Sequence, residues 1–200
     1  APTYGTPPGA PKFLDDHTIE PGGTTHFVII DKYGNALTMT TTVESIFGTG
    51  RMVGGFFLNN QLTDFSFSPV SPDGLKAANA VEPNKRPRSA MSPTFVFDRN
   101  HKLIAMFGSP GGISIVGYNI KTLIGVLDWN LSMQDAINLP NVVARGESIR
   151  IEQNLMEPKV WDGLTAMGYT LTPLTGEESG LNSILRAKNG DFGGGADLRR

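Results

Sequence analysis

The sequence predicts a domain built from packed layers of α-helix and β-sheet, an α+β fold. Strand-like segments come first, helical periodicity follows, and further strand-like segments close the chain. The chain has 200 residues, of which 39% are hydrophobic and 18% are charged. This balance excludes a disordered acidic or basic tail and is typical of one domain, or of one large piece of a domain.

Two β-hairpins are predicted from alternating, β-branched segments that flank short turns. The first joins residues 26–31 to residues 36–43 around a turn at 33–35. The second joins residues 94–98 to residues 103–107.

The chain between these hairpins is poor in regular patterns. Residues 45–55 form a predicted glycine-rich loop, followed by a short strand at 56–58. Residues 66–93 are long, irregular and rich in proline. Irregular stretches of this length inside a compact domain usually have a function.

Three helices are predicted. The first follows Gly112, because apolar residues recur there at helical spacing as far as Leu127. Its opposite side is also apolar, so we expect this helix to be mostly buried. Ser132 and Asp135 cap a short second helix that ends before Pro140.

The third helix and the closing strands complete the predicted order. Pro158 suits the first turn of the third helix, and Gly168 suits its C-terminal cap. Strands are predicted at 149–151, 169–172 and 183–187, with a turn at Asn189-Gly190.

Composition excludes several function classes. The formal net charge is -2, from 17 basic and 19 acidic residues, and indicates neither a nucleic-acid nor a membrane-surface partner. No apolar run approaches the roughly 18 residues of a membrane span. Cysteine is absent, and His17, His26 and His101 are far apart in sequence. We therefore expect no metal site and no cofactor.

The junction between Gly23 and Thr24 is the first candidate for chemistry. Residues 1–23 contain five prolines and read as an extended, poorly packed arm. A threonine hydroxyl becomes a good nucleophile when a free α-amine on the same residue acts as its base. Here the amine is tied up in the Gly23–Thr24 peptide, which the hydroxyl could itself cleave. The simpler interpretation is that Thr24 begins a strand.

Residues 109–112 are the second candidate, because they lie between a buried strand and a helix. Two adjacent glycines, Gly111 and Gly112, leave backbone N–H groups unobstructed at a helix N-terminus. This suits an oxyanion hole or a phosphate cradle, although the lysine of a P-loop is lacking. A plain tight turn is the alternative.

Two polar clusters complete the candidates. Residues 59–64 end in Asp64, which could pair with a substrate ammonium; a strand-end turn with asparagine caps is equally compatible. Residues 85–89 contain three basic side chains that could hold a carboxylate or could simply face solvent.

These motifs together resemble the small subunit of γ-glutamyltranspeptidase and of its relatives, the cephalosporin acylases. The resemblance runs from Thr24 almost to the C-terminus. The matching segments, in chain order, are Thr24-Thr25-His26, Asp31-Lys32-x-Gly34-Asn35, Phe47-Gly48-Thr49-Gly50, Leu58-Asn59-Asn60-Gln61, Asp64-Phe65-Ser66, Asn79-Ala80-Val81, Lys85-Arg86-Pro87, Met91-Ser92-Pro93-Thr94 and Gly108-Ser109-Pro110-Gly111-Gly112.

The resemblance implies a four-layer αββα sandwich of the N-terminal nucleophile hydrolase type. It implies a precursor that cuts itself between Gly23 and Thr24. Residues 1–23 would then be the tail of the large subunit, and residues 24–200 the catalytic region of the small subunit. The large subunit is the implied partner, and a γ-glutamyl amide such as glutathione is the implied substrate.

Site residues follow from the same resemblance. Thr24 corresponds to the nucleophile, and Thr42 to a second threonine whose hydroxyl supports it. Gly111 and Gly112 correspond to the oxyanion hole.

Other positions correspond to the family's donor-binding residues. Gln61 and Asp64 match residues that hold the donor's α-amino group, and Ser89 matches one of two serines at its α-carboxylate. Glu44 stands where these enzymes generally carry asparagine, and Ala90 replaces the second serine.

These departures leave two alternatives to a γ-glutamyl enzyme. One is an acylase for other amides, such as glutaryl-type ones, which Glu44 and Ala90 suggest. The charge of Glu44 could strengthen an ammonium contact but repels a carboxylate, and Ala90 lacks the hydroxyl that would help to bind the α-carboxylate. The other is a catalytically silent, unprocessed precursor fragment. A lone piece of this length is expected to expose apolar surface, so that it self-associates or needs the large subunit. By the same resemblance, the compartment is expected to be periplasmic or extracellular.

Overall fold

The computed structural model describes residues 8–14, 23–145, 148–174, 179–187 and 189–200. Among them, the strands are β1 (Thr24–Ile30), β2 (Ala36–Thr42), β3 (Met52–Val53), β4 (Phe56–Phe57), β5 (Thr94–Phe97), β6 (Leu103–Gly108), β7 (Val142–Arg145), β8 (Ser148–Ile151), β9 (Thr170–Pro173), β10 (Asn182–Arg186) and β11 (Phe192–Ala196). The helices are α1 (Ile115–Leu127), α2 (Met133–Asn138) and α3 (Pro158–Ala166).

The described residues fall into two compact units, which we describe separately. The strand unit comprises Thr24–Thr41 and Ala90–Arg200. The loop unit comprises Thr42–Ser89, together with Gly23 and the described residues 8–14.

Both predicted hairpins of the strand unit are confirmed. In each of them, an aspartate side chain accepts hydrogen bonds from the backbone of the turn. Asp31 Oδ1 accepts hydrogen bonds from the backbone N–H groups of Tyr33 and Asn35, at 2.8 and 2.9 Å. Asp98 Oδ1 accepts from Asn100 and Lys102 at the same two distances. An aspartate that bonds its own backbone in this way closes a turn without help from distant residues, so the pattern is readable from sequence.

A four-stranded sheet forms the centre of the strand unit, in the order β11-β10-β6-β5. A second sheet has the order β7-β8-β9, with β8 and β9 parallel. Helices α1 and α2 pack on these strands around a buried core that includes Phe107, Tyr118 and Ile137. The predicted mixture of α and β elements is therefore present.

The three predicted helices are confirmed, but the predicted burial of α1 is wrong. One face of α1 packs inward through Ile115, Tyr118 and Thr122. The other face leaves Val116 and Ile120 45% and 50% exposed. Helical periodicity reports which residues share a face, but it cannot say whether an apolar face meets this chain or remains uncovered.

Three strands were not predicted. Strand β3 lies inside the predicted loop 45–55, where Gly54 and Gly55 turn it back onto β4 at φ values of +63° and +91°. Strand β7 precedes the predicted strand 149–151 and pairs with it. Strand β11 carries three glycines, which have low strand propensity. Gly195 is required there because a Cβ would lie 2.9 Å from Ile137 of α2.

An ion-pair network holds the C-terminal residues of the strand unit. Arg199 pairs with Glu152 at 2.7 Å and with Asp197 at 3.0 Å. Its guanidinium also donates to the Leu139 carbonyl after α2, which Lys121 reaches as well. Burial and the neighbouring Arg199 charge lower the pKa of Lys121 to about 8. These contacts close the end of α2, where the helix leaves carbonyls without partners.

The loop unit contains little regular structure. Residues 66–93 form no helix and no strand longer than a single bridge pair, as predicted. Leu14 pairs with Ala77, whereas the described residues before it are exposed. The remainder of the predicted arm, residues 1–7 and 15–22, lies outside the described residues.

Candidate active site

Thr24, the candidate nucleophile, is the first residue of β1 and is half-buried. Its carbonyl accepts a hydrogen bond from Arg200 Nη1 at 3.3 Å. Strand β1 packs against β6 and β10. The threonine therefore begins a strand that pairs with β2 and packs against two strands of the four-stranded sheet.

The glycine turn, residues 109–112, begins where β6 ends. Gly111 and Gly112 have φ values of +136° and +52°, a region that disfavours side chains. A Cβ on Gly111 would also overlap the ring of Tyr118, which is fully buried. Ser109 Oγ accepts from Gly180 N–H at 3.1 Å and so ties the turn to the chain before β10.

This turn suits the stabilisation of an oxyanion. The glycines lead through a 3₁₀ turn, Gly112–Ser114, into the N-terminus of α1. Helix N-termini carry partial positive charge, and glycines let a reacting atom approach the backbone N–H groups closely. The lysine that a phosphate cradle would need is absent from the turn.

In the loop unit, Thr42 and Glu44 are joined directly. The backbone N–H of Glu44 donates to Thr42 Oγ1 at 2.8 Å. Glu44 has a φ of +74° and is buried. This backbone conformation is strained for a residue with a side chain, so surrounding contacts must hold it.

A cage of donors surrounds the Glu44 carboxylate. Its Oε2 accepts from Ser45 Oγ at 2.8 Å, from Thr63 Oγ1 at 3.1 Å and from Asn60 Nδ2. Asn60 Oδ1 accepts in turn from the Ser45 backbone N–H at 2.9 Å. A buried carboxylate is stable only when hydrogen bonds replace its lost hydration, and these three side chains supply them.

Gln61 and Asp64 also lie together. They belong to one 3₁₀ turn, Gln61–Asp64, in which Gln61 Nε2 donates to Asp64 Oδ2. The Asp64 carboxylate is buried, and Asn79 Nδ2 donates to its backbone carbonyl at 2.6 Å. The loop unit therefore contains two buried carboxylates, Glu44 and Asp64, which favour a cationic ligand group over an anionic one.

Ser89 and the basic cluster close the loop unit. Ser89 is exposed. The backbone N–H of Arg88 donates to Asn79 Oδ1 at 3.0 Å, and Lys85 Nζ donates to the Ala78 carbonyl at 2.6 Å. The Lys85 side chain and the Arg88 backbone therefore secure the chain that carries Ser89.

Gly23, the residue before the candidate nucleophile, lies against the turn that contains Glu44. A Cβ at Gly23 would overlap the Glu44 carbonyl oxygen and would lie 3.1 Å from the Ser45 carbonyl carbon. Close packing at this position therefore requires glycine.

Comparison with known proteins shows the family to which the chain belongs. The sequence model described as gamma-glutamyltranspeptidase matches residues 4–200. The chain belongs to the gamma-glutamyltranspeptidase family.

One curated relative in this family is the glutathione hydrolase proenzyme of Bacillus subtilis, which is 35% identical over 90% of this chain. The chain spans only 30% of that relative's length. A crystal structure of a Helicobacter pylori gamma-glutamyltranspeptidase mutant superposes with a TM-score of 0.77. That chain is 35% identical; the match covers 88% of this chain and all of the other.

A cephalosporin acylase from Bacillus halodurans shares the fold, with a TM-score of 0.72 and 22% identity. The match covers 93% of this chain and 35% of that one. At this identity the likeness extends to the fold alone.

The sequence motifs of the gamma-glutamyltranspeptidase family contain three further side chains to which the sequence analysis gave no role. Asn60 and Asn79 hold Glu44 and Asp64. His26 is buried against Gly108, the last residue of β6. The asparagine pair at 59–60 is visible in the sequence, but it is equally compatible with a polar site and with a capped turn. The role of His26 depends on residues far away in sequence, so no local signal could reveal it.

The described residues hold no group of three His, Asp or Glu side chains that could bind a metal ion. No described helix is long and apolar enough to cross a membrane.

Proposed function

We propose that the complete protein is an autoprocessing γ-glutamyl hydrolase or transferase with Thr24 as its nucleophile. The observation that carries the proposal is that the strand beginning at Thr24 packs against the strand that leads into the glycine turn. Thr24 opens β1, and β1 packs on β6, which ends in that turn. Membership of the gamma-glutamyltranspeptidase family supports the same chemistry.

Self-cleavage is the proposed first reaction. Thr24 Oγ attacks the Gly23 carbonyl carbon, the C–N bond breaks, and the nitrogen leaves as the Thr24 amine. An ester then joins Gly23 to Thr24 Oγ, and water hydrolyses it to a free carboxylate and a free hydroxyl. The released α-amine, with an ordinary pKa near 8, becomes the base that the hydroxyl lacked.

Turnover is proposed to follow with the same hydroxyl. Thr24 Oγ attacks the γ-amide carbonyl of a donor such as glutathione, and its α-amine takes the hydroxyl proton. Backbone N–H groups of Gly111 and Gly112 stabilise the oxyanion, a contribution worth about 3 kcal/mol. The leaving amine departs with a proton, which leaves a γ-glutamyl ester on Thr24. Water or an amino acid then takes the acyl group.

Donor recognition is assigned to the loop unit. We propose that Gln61 and Asp64 hold the α-amino group and that Ser89 contacts the α-carboxylate. Thr42 supports the nucleophile. Glu44 adds a second negative charge near the ammonium contact, which favours γ-glutamyl donors over glutaryl amides that lack an ammonium.

A large subunit is proposed to precede Thr24. Residues 1–23 would belong to its tail, and residues 24–200 to the catalytic region of the small subunit. Together the subunits would complete the four-layer αββα sandwich. The exposed apolar face of α1 supports this proposal, because Val116, Ile120 and Trp129 line a cleft of about 750 Å³ that no described residue fills.

The test uses the complete precursor, including the segment before residue 1. We expect the wild-type protein to yield two chains split at Gly23–Thr24 and to release aniline from a γ-glutamyl anilide. Thr24→Ala should abolish both, whereas Thr25→Ala, at the exposed neighbouring position, should retain both. Self-cleavage and turnover that persist in Thr24→Ala would reject the mechanism.

The same assay separates the remaining alternatives. A charge-assisted contact to the donor ammonium contributes about 1.5–3 kcal/mol, so γ-glutamyl anilide should be preferred over glutaryl anilide roughly 10- to 100-fold in kcat/KM. Preference for the glutaryl anilide would instead favour the acylase. A wild-type precursor that remains one uncut chain would favour the silent fragment.

A further inference from the structure

The buried histidine of β1 connects the candidate nucleophile's strand to its neighbours. His26 is 3% exposed. Its Nδ1 lies 2.8 Å from Thr40 Oγ1, and its Nε2 lies 3.3 Å from Thr38 Oγ1, both on β2. Its own carbonyl accepts a hydrogen bond from Asn182 Nδ2 on β10 at 3.1 Å.

Both ring nitrogens of His26 therefore have a hydroxyl partner on β2. Thr38 Oγ1 also donates to the Phe107 carbonyl of β6 at 3.4 Å, so the same hydroxyl joins the histidine to β6. Burial lowers the pKa of His26 to about 4, which keeps the ring neutral in neutral solution.

The ring also lies directly against β6. A Cβ on Gly108 would overlap the ring carbon Cε1 and would lie 2.9 Å from Nε2. Gly108 is the last residue of β6, pairs with Asn182 across the sheet, and is followed by the glycine turn. The imidazole therefore sets how closely β1 approaches the end of β6.

Side chains two residues apart on a strand project to the same face, so Thr24 and His26 share one face of β1. We propose that His26 is a positioning residue that sets the distance between Thr24 and the Gly111–Gly112 turn. This inference rests on the proposed function. His26 is no acid or base in the reaction, because hydroxyl groups of β2 occupy both of its nitrogens. Its neighbours Thr38, Thr40, Gly108 and Asn182 carry no titratable group.

Substitutions in the complete enzyme test the role. His26→Phe keeps a ring and loses both hydrogen bonds, so kcat should fall at least about tenfold, the effect of roughly 1.4 kcal/mol. KM for the donor should remain unchanged, because the proposed donor contacts lie in the loop unit. His26→Gln restores a donor near the Nε2 position and should recover part of kcat. His101→Asn is the matched control, since His101 is exposed in the β5–β6 turn.

A second pair of variants keeps the test informative if His26→Phe does not fold. Thr40→Val removes only the hydroxyl that bonds Nδ1, whereas Thr40→Ser keeps it. We expect Thr40→Val to lower kcat per folded enzyme and Thr40→Ser to approach the wild-type value. Equal kcat in both variants, with lower stability in Thr40→Val alone, would overturn the inference and leave a merely structural histidine.

Nitrogen-15 NMR of the wild-type enzyme gives a readout that needs no substrate. His26 should show one neutral tautomer, held by its two hydroxyl partners, down to about pH 5. Titration near its ordinary pKa of 6.5, or rapid exchange between the two tautomers, would overturn the inference. If the wild-type enzyme cuts itself but turns over no γ-glutamyl amide, the proposed substrate is rejected instead. The self-cleavage rates of the Thr40 variants would then still test the role of His26.

Discussion

The two units of the chain hold their candidate site residues in different ways. In the strand unit, Thr24 begins β1 and the glycine turn follows β6. Strand β1 packs on β6, whose Ala105 and Phe107 belong to the hydrophobic core. In the loop unit, short two-residue strands give little support. Side-chain amides of Asn60 and Asn79 hold Glu44 and Asp64 instead.

This difference suggests a division of tasks. Bond-making groups must remain in place to within a fraction of an ångström, and backbone ladders with a packed core supply that rigidity. Recognition can rest on loops, where a single substitution changes which groups are bound. Variants of the strand unit should therefore lower kcat, and variants of the proposed donor-binding residues of the loop unit, and of the residues that hold them, should mainly change KM.

The largest effect is expected for Gly111→Ala. The added Cβ would overlap the Tyr118 ring and displace the turn, costing about 3 kcal/mol of transition-state stabilisation, or roughly 100-fold in kcat. Steady-state kinetics on the γ-glutamyl anilide measure it. Gly163→Ala in α3 is the control, because nothing lies within 4 Å of its Cβ position. A normal kcat in Gly111→Ala would remove the oxyanion role from this turn.

Asn60→Ala, a substitution in the loop unit, should have the next largest effect. It leaves the buried Glu44 carboxylate and the Ser45 N–H each short of one partner, which costs about 2 kcal/mol of stability. Donor KM should rise while kcat changes little. Asn59→Ala, an exposed neighbour, should cause a smaller change. A fall in kcat with constant KM would contradict the division between the units.

Acid should destabilise the strand unit through His26. Its pKa is 6.5 when unfolded and about 4 when folded, so below pH 6.5 the unfolded chain binds a proton that the folded chain refuses. The free energy of unfolding should therefore fall between pH 6.5 and pH 4, by roughly 2 kcal/mol. Urea unfolding at several pH values measures this slope. If His26→Phe retains the full slope, another group is responsible.

Gly23→Ala should slow self-cleavage without altering the mature enzyme's turnover. The Cβ meets the Glu44 carbonyl, so the scissile peptide must shift, and we expect a roughly tenfold slower cut, equivalent to about 1.4 kcal/mol. Time-resolved mass analysis of the precursor follows the reaction. Cleavage at the wild-type rate would show that this contact is absent when the bond breaks.

The smallest effect is expected at α2, away from the site. Ser132 Oγ accepts from the Asp135 N–H at 3.1 Å and caps the helix, so Ser132→Ala should cost about 1 kcal/mol of stability. Activity should remain unchanged. Ser132→Asp, which also caps, should be close to wild type in thermal unfolding. A lower kcat in Ser132→Ala would show that the strand unit transmits distant strain to the site.

Local signals accounted for most predicted elements. Asp31 and Asp98 turn their hairpins through their own side chains, and Ser132 caps its own helix, so each was readable within a few residues. Strand β11 was not readable from its local sequence, because three successive glycines indicate a loop. Pairing with β10 along its whole length makes it a strand, and its packing against α2 supports it.

The amino-acid order by itself determined the hairpins and the helical phase of α1, because each depends on neighbours in sequence. The Gly23–Thr24 junction and the candidate site residues came from the resemblance of the ordered motifs to a family, and their roles stay predictions. Tertiary structure alone decided which face of α1 stays uncovered, how Asn60 encloses Glu44, and why Gly108 must lack a side chain beside His26. These features depend on atoms that meet only after distant segments pack, and burial sets their energies only then.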